Sequence, residues 1–235
     1  MENSDDIAKE KVSPEERAAF VYQRSEIYHF FSALFNHLPD ITLAENLKNP
    51  ESSDLRSFFD TVEGELSSNI DEGLQLLEKY MLSCQDKSAE DIKTELSVDR
   101  VCLMRGVKYT YGSKAPLETS YIEDSDLHKV LTSVRDNYRE AGLIIQKEVK
   151  ERPDYIGIEL DFMGFLTQQE AQAWQEKNTE AAEAFSKKQH AFLNDHLYRW
   201  VPTYCQSMLE EAQTDFYRGI ACLLSAFVLQ ESQQN

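Results

Sequence analysis

The sequence predicts an all-α fold, a bundle of about nine to ten helices without a convincing strand. Apolar residues recur at helical spacing along most of the chain, and capping residues stand before several of these stretches. Glycine and proline are scarce, with 8 and 6 among 235 residues. Because hairpin turns depend on those two residues, a β fold is disfavoured.

The composition is that of a globular and strongly acidic protein. Apolar residues make up 41% of the chain, which is enough to fill a core. The chain carries 24 Lys and Arg against 42 Asp and Glu, a formal net charge of −18. Nucleic acids and anionic membrane surfaces attract Lys and Arg, so both are disfavoured as partners, whereas basic partners are left open.

The sequence has the features of a cytoplasmic protein. Its N-terminus is polar and acidic and lacks the apolar core of a secretory signal, and no apolar run is long enough to span a membrane. Four widely spaced cysteines, with no C-x-x-C pair, are typical of reduced thiols: Cys84, Cys102, Cys205 and Cys222.

The first predicted helix begins at a capping box. Ser13 is the N-cap, Pro14 takes the first helical position, and Glu16 takes the third. The helix is expected to stop by Leu38-Pro39, and residues 1–12 are expected to form a disordered acidic tail.

Further helices are predicted up to about residue 104. Asp40 caps a short helix, and another short helix is expected around 55–59. The stretch 70–83 places its apolar residues on one face, and Ser88 begins the next helix.

Helical periodicity fails from about Arg105 to Asp124. A loop of that length is unusual in a compact helical domain and is commonly functional or a linker. The helix that follows, over 126–141, is expected to end at Gly142.

The helix predicted to begin at Pro153 is the most apolar of the chain, so we expect it to be buried centrally. It nevertheless carries Glu159 and Asp161, which must be paired, protonated or directed at a cleft. Asn178 is the predicted N-cap of the next helix, which is expected to end at Trp200. Pro202 restarts the chain, and Thr214 is the predicted N-cap of the last helix.

No motif of catalytic, metal or cofactor chemistry stands out. Glu26-x-x-His29 is half of a motif that di-iron bundles need twice, and a simple helix histidine is the better interpretation. The stretch from Gly106 to Lys114 lacks the spacing of a phosphate loop. With neither a zinc motif nor a nucleophile elbow, we predict a protein that is not an enzyme and holds no metal or cofactor.

Three segments carry more than helical packing requires. They are 116–121 (PLETSY), 151–163 (ERPDYIGIELDFM) and 196–204 (HLYRWVPTY), the last followed by FYRG at 216–219. In these segments, in their order and in the L-F-x-x-L-P-D end of the first helix, the chain resembles the TorD/DmsD/NarJ family. The E-x-P-D-[HY]-I-x-x-E-L-x-F-M run is the most specific element.

The resemblance implies a cytoplasmic, enzyme-specific chaperone. It would bind the twin-arginine signal peptide, and part of the body, of an apo-molybdoenzyme, assist cofactor insertion and delay export until that enzyme is folded. It also implies an N-terminal helical part (13–104) and a C-terminal helical part (153–235), joined by a long loop, a connecting helix and a hinge (105–152). A monomer or a dimer that exchanges these parts is compatible with it.

Carried over by position, the family's proposed signal-peptide site gives Pro116, Thr119 and Tyr121 in the loop, and Asp154 and Tyr155 in the second segment. Thr119 stands where Ser is common and keeps the hydroxyl. Tyr155 replaces the family's usual His, which keeps a planar hydrogen-bonding ring but removes the titrating imidazole.

The residues themselves leave alternatives open. A receptor for an arginine pair followed by an apolar stretch needs an apolar groove with carboxylates at one end. Asp154 is either the partner of such an arginine or a first-turn residue that stabilises the positive end of its helix. Glu159 is a further candidate for the site, although a paired carboxylate in the core is the simpler interpretation. For Tyr121, His196 and Trp200, packing in the core is also an alternative to a role in binding.

Two other functions fit the sequence. One is a small-ligand or nucleotide-binding regulator with a pocket between the two helical parts. The other, which ranks last, is an enzyme with Glu159 or Asp161 as general base, since an apolar helix would raise the pKa of such a carboxyl group.

Overall fold

The computed structural model describes residues 13–49, 67–104, 114–122, 127–146 and 151–233, and it confirms the all-α fold. These ranges hold ten α-helices, one π-helical turn (Leu193–Leu197) and no strand. The helices are α1 (Pro14–Asn36), α2 (Ile41–Lys48), α3 (Ser67–Cys84), α4 (Ala89–Met104), α5 (Glu118–Tyr121), α6 (Leu127–Glu140), α7 (Ile156–Gln175), α8 (Thr179–Phe192), α9 (Tyr198–Glu211) and α10 (Asp215–Gln233). The predicted tail 1–12 and the predicted short helix around 55–59 lie outside the described residues.

Local capping explains where several helices begin. The Ser13 hydroxyl accepts a hydrogen bond from the Glu16 amide (3.2 Å), and the Glu16 carboxylate accepts one from the Ser13 amide (2.8 Å). Asp40, Ser88 and Asn178 likewise accept amide hydrogen bonds at the starts of α2, α4 and α8. The predicted N-caps are therefore confirmed at these four helices.

Two predicted boundaries are wrong, and the loop holds an unpredicted helix, α5. Helix α7 begins at Ile156 rather than Pro153, with Tyr155 as its extended N-cap, so Asp154 precedes the helix. Pro202 does not restart the chain but lies inside α9, which continues α8 through the π-helical turn. A proline there loses one backbone hydrogen bond, and the burial of Trp200, Val201, Tyr204 and Cys205 on α9 outweighs that loss.

Helix α7 is central, as predicted, and α1 packs along it. The Ser32 hydroxyl and the Asn36 amide each donate to the Gly157 carbonyl at 3.0 Å. Further along α7, the His29 ring lies against Gly164, where a Cβ atom would come within 2.6 Å of the ring. The two glycines thus allow α1 to lie close against the α7 backbone.

Two buried charged contacts fix the outer helices. Arg24 of α1 donates to both carboxylate oxygens of Glu231 in α10, the shortest distance being 2.6 Å, and Tyr28 donates to the same carboxylate. Asp99 of α4 accepts hydrogen bonds from the amide (2.8 Å) and hydroxyl (2.7 Å) of Thr214, which precedes α10. Each of these buried charges is therefore paired or hydrogen-bonded.

Within the described ranges, no helix combines the length and the apolar character that crossing a membrane would require.

Gly219→Ala is expected to lower the stability of the fold. A Cβ atom at Gly219 would lie 2.8 Å from the backbone oxygen of Gly73 in α3, which cannot turn aside. Overpacking costs about 1–3 kcal/mol, against about 1 kcal/mol gained when alanine replaces a helical glycine. Thermal unfolding followed by circular dichroism should give a lower Tm, whereas an unchanged or higher Tm would contradict this close approach of α3 and α10.

Candidate functional site

The three segments singled out in the sequence meet at the start of α7. The loop segment 114–122 lies against it, and the Glu118 amide donates to the Asp154 carbonyl at 2.9 Å. The Ile156 amide donates in turn to the Pro116 carbonyl at 3.0 Å. Because the first amides of a helix have no partner within the helix, the loop supplies an acceptor that α7 lacks.

Asp154 joins this loop to α7 through its side chain. The carboxylate is fully buried and accepts hydrogen bonds from the amide (3.2 Å) and hydroxyl (2.7 Å) of Thr119. It also accepts from Nε (3.0 Å) and Nη2 (3.1 Å) of Arg152, which donates to the Thr119 hydroxyl as well (2.9 Å). The arginine that contacts Asp154 in this structure thus belongs to the same chain.

Glu118 joins the loop to the π-helical turn. Its buried carboxylate lies 2.9 Å from Nδ1 of His196, and Nε2 of His196 lies 3.1 Å from the hydroxyl of Ser133 in α6. A buried carboxylate is costly unless it is paired, so this contact holds α5, α6 and the π-helical turn together. Neither Glu118 nor Ser133 was predicted for the site, because nothing in the sequence indicates which residues face His196.

Glu159 lies in the core between α7 and α9. Trp200 donates its indole N–H to the Glu159 carboxyl group at 3.1 Å. Burial, and after it the charge of Glu118, raises the pKa of Glu159 well above its usual range, so its surroundings favour the neutral form. Its contacts are those of a structural carboxyl group.

Tyr121 closes the outer side of the cluster. Its ring stacks on Trp200, with centroids 5.8 Å apart, and meets the Tyr204 ring edge-on at 5.7 Å. Its hydroxyl donates to the Lys114 carbonyl at 3.0 Å, and the side chain is half-buried. Tyr121 therefore covers the core and keeps part of its surface accessible.

Tyr155 links the start of α7 to the end of α1. Its buried hydroxyl donates to the Phe35 carbonyl at 2.6 Å. Burial raises the pKa of Tyr155 to about 12, so the hydroxyl remains a neutral donor at physiological pH. Tyr155 therefore acts as a hydrogen-bonding ring within the core.

A groove of about 760 Å³ opens beside this cluster, between α1, α7 and the segment that follows α6. Its apolar lining includes six residues from α7 and that segment: Leu143, Ile144, Ile145, Ile158, Phe162 and Phe165. Its polar lining includes Glu151 and Asp161 together with residues of α1 and its C-cap: His29, Ser32, Asn36 and His37. Carboxylates beside an apolar surface are the combination expected of a receptor for a basic and apolar peptide.

The groove and the buried cluster share one stretch of chain. The six residues predicted for the site are all described, and none of them lines the groove. Glu151, at the groove, leads directly to Arg152 and Asp154, and Tyr138 of the groove wall donates to the Pro153 carbonyl at 2.8 Å. A ligand in the groove would therefore lie next to the segment that anchors the loop.

Asp161 and His29 form an ion-pair contact in the lining of this groove. The distance from His29 Nδ1 to Asp161 Oδ1 is 3.5 Å, and the two side chains are 37% (His29) and 65% (Asp161) exposed. The hydrogen bond to Asp161 is the main cause of a raised His29 pKa, which burial partly opposes. The sequence showed His29 only as part of a half-motif, because its partner lies on a distant helix.

Comparison with known proteins identifies clear relatives. Residues 63–206 match the family described as "Nitrate reductase delta subunit". The chain is 30% identical over 218 residues to the chaperone protein TorD of Photobacterium profundum, covering 91% of this chain and 94% of that protein. It is 30% identical over 215 residues to the chaperone protein TorD of Vibrio parahaemolyticus, again covering 91% of this chain and 94% of the relative.

The chain is also similar, over a shorter stretch, to a chaperone with a different name. The chain is 29% identical over 116 residues to the perchlorate reductase assembly chaperone protein of Dechloromonas aromatica. This match covers 49% of this chain and 51% of that protein. The relatives are chaperones rather than catalysts, in agreement with the sequence-based prediction that the protein is not an enzyme.

At neutral pH Glu159→Gln is expected not to lower the free energy of unfolding, because the amide replaces a carboxyl group whose buried surroundings favour its neutral form. Glu118→Gln is expected to cost about 1.5–3 kcal/mol, because it removes the charge that faces His196. Urea unfolding of both variants measures the difference. Equal losses would contradict the different roles of the two groups, one paired with His196 and the other with a raised pKa.

The pH dependence of stability tests the same assignment. The folded-state pKa of Glu159 is raised above the ordinary value of about 4.5. The contribution of Glu159 to the free energy of unfolding is therefore lost as pH rises from about 4.5 through the folded-state pKa. Over that interval Glu159 contributes a slope of about 1.4 kcal/mol per pH unit. The difference in unfolding free energy between Glu159→Gln and the wild type should therefore grow with pH in favour of the variant, and a difference that is constant with pH would count against a protonated Glu159.

Proposed function

Because the chain belongs to the TorD/DmsD/NarJ family of chaperones, we propose that it matures a molybdenum-containing oxidoreductase in the cytoplasm. It binds the twin-arginine signal peptide of the apoenzyme, and part of the enzyme body. The bound apoenzyme stays competent for cofactor insertion, and export waits until it is folded. The names of the relatives, TorD and a perchlorate reductase assembly chaperone, support this partner class.

The groove is the observation that carries the proposal. A twin-arginine signal peptide has an arginine pair followed by an apolar stretch. In the groove, the apolar stretch would be buried against the lining from α7 and 143–145, while Glu151 and Asp161 offer charge-assisted hydrogen bonds to arginine. The net charge of −18 adds a long-range attraction for a basic leader.

The residues predicted from the family's site take two roles in this proposal. Thr119 and Tyr121 are partly accessible, and we assign them direct contact with the peptide where it leaves the groove. Four others are buried and act through position, by holding the loop and the 151–155 segment beside the groove: Pro116, Asp154, Tyr155 and Glu159.

Ile144→Ser is expected to weaken binding of the leader peptide without affecting the fold. Ile144 lines the groove and is 87% exposed in the free protein, so its removal costs little stability. Burying such a side chain under a ligand contributes about 1.5–3 kcal/mol, which corresponds to a loss of about tenfold or more in affinity. Calorimetric titration with leader peptides of twin-arginine redox subunits encoded near this protein measures the effect.

Leu82→Ser provides the matched control. Leu82 is 63% exposed on α3 and is not among the groove residues, so its replacement should leave the affinity unchanged. Equal losses of affinity in the two variants would show that the leader peptide does not bind in the groove. Absence of heat with every leader peptide and every precursor would contradict the proposed function itself.

A further inference from the structure

We propose that Asp161 is the carboxylate that selects a cationic side chain of the bound peptide, and that His29 competes with this side chain for it. Binding then releases a proton from His29, and affinity depends on pH. The inference rests on the proposed function and specifies the chemistry of its site.

Asp161 differs from the carboxyl groups of the buried cluster in being accessible. Asp154 and Glu118 are buried and already paired, with Arg152 and His196 respectively, and Glu159 is buried with a raised pKa. Asp161 is 65% exposed and opens onto the groove. Its ion-pair partner within the described ranges is a histidine rather than a lysine or arginine, so an incoming guanidinium competes there with a titratable cation.

The surroundings of Asp161 suit an arginine that is followed by apolar residues. Ile158 and Phe165 line the groove one helical turn to either side of Asp161 on α7, and Phe162 lies beside it. Apolar residues that follow the arginine would cover this wall and exclude water from the ion pair. A charge-assisted hydrogen bond is stronger in such surroundings than at an open surface.

His29 is positioned to compete with a bound arginine for the Asp161 carboxylate. Its ring lies against the backbone at Gly164, and its Nδ1 atom points to Asp161 at 3.5 Å; Ser32 lies at the same distance from that carboxylate oxygen. Imidazolium and guanidinium groups on one carboxylate would lie within a few ångströms of each other, where like charges repel. An arginine on Asp161 therefore favours neutral His29.

The other titratable groups near His29 are few among the described residues. They are Glu26 on α1, which also raises the His29 pKa, and His37, the C-cap of α1, on the groove wall. Beyond Asp161 on α7, Glu151 lies on the segment before that helix and Tyr138 on α6. Glu26 also favours the protonated ring, but the hydrogen bond to Asp161 is the larger cause, so Asp161 is the group for which both cations compete.

The competition between His29 and arginine determines how the affinity for the peptide changes with pH. In the free protein His29 holds its proton to a higher pH than an ordinary histidine, because Asp161 accepts its hydrogen bond. The bound arginine lowers that pKa again. When the pH is below the pKa of His29 in the free protein, binding therefore releases a proton from His29. Affinity for an arginine-containing peptide therefore rises with pH through the pKa of His29 in the free protein.

The experiment is calorimetric titration at about pH 6 and about pH 8, on either side of the ordinary His pKa. The ligand is a histidine-free leader peptide with its arginine pair, and a second peptide carries Gln-Gln in place of that pair. The proteins are the wild type, Asp161→Asn, His29→Gln and, as a control for the change in net charge, Glu45→Gln on the exposed face of α2. Circular dichroism confirms that each variant is folded.

We expect the wild type and Glu45→Gln to bind the arginine peptide several-fold more tightly at the higher pH. His29→Gln should bind tightly at both pH values. Asp161→Asn should bind about tenfold more weakly than the wild type at the higher pH, since one charge-assisted hydrogen bond contributes about 1.5–3 kcal/mol. Its preference for the arginine peptide over the Gln-Gln peptide should be reduced by a similar factor.

Two results would overturn the inference and leave the proposed function standing. One is an Asp161→Asn variant that still prefers the arginine peptide as strongly as the wild type does. The other is a pH dependence that persists in His29→Gln. Failure of the wild type to bind the arginine peptide at either pH would instead count against the proposed function.

Discussion

A carboxyl group buried in a helical core must be paired, hydrogen-bonded or protonated, and this chain buries three of them around the start of α7. Asp154 is satisfied by Arg152 and Thr119 and Glu118 by His196, while Glu159 accepts a hydrogen bond from Trp200 and has a raised pKa. Each solution uses a residue from a different element, so the loop, α7 and the π-helical turn are joined by necessity. A change at one member leaves a buried partner without its hydrogen bonds.

This constraint also explains how a binding surface arises in a protein without catalytic machinery. With the 151–155 segment anchored on the loop, α7 begins at a fixed place, and α1 lies along it through the glycines at 157 and 164. The groove is the space left between these two helices and the chain that follows α6. The buried cluster supplies rigidity, and the groove supplies apolar contact and accessible carboxylate charge.

How much of this was predictable depended on the distance between interacting residues along the chain. N-caps such as Ser13 and Asn178 bond within their own first turn, so the sequence was sufficient to place them. The start of α7 was mispredicted because its acceptor, Pro116, lies on a remote loop. Family motifs pointed to the three segments that converge, yet no pattern paired His29 with Asp161 or indicated that Asp154 is buried.

Photo-crosslinking tests most directly the claim that a leader peptide lies in this groove beside the buried cluster. A twin-arginine leader peptide with a benzophenone amino acid in its apolar stretch would be irradiated with the full-length protein, and the adducts mapped by mass spectrometry. We predict adducts within 143–146 and 158–165, and their loss in the presence of excess unlabelled peptide. Competed adducts confined to α3 and α4, with none in those two stretches, would contradict it.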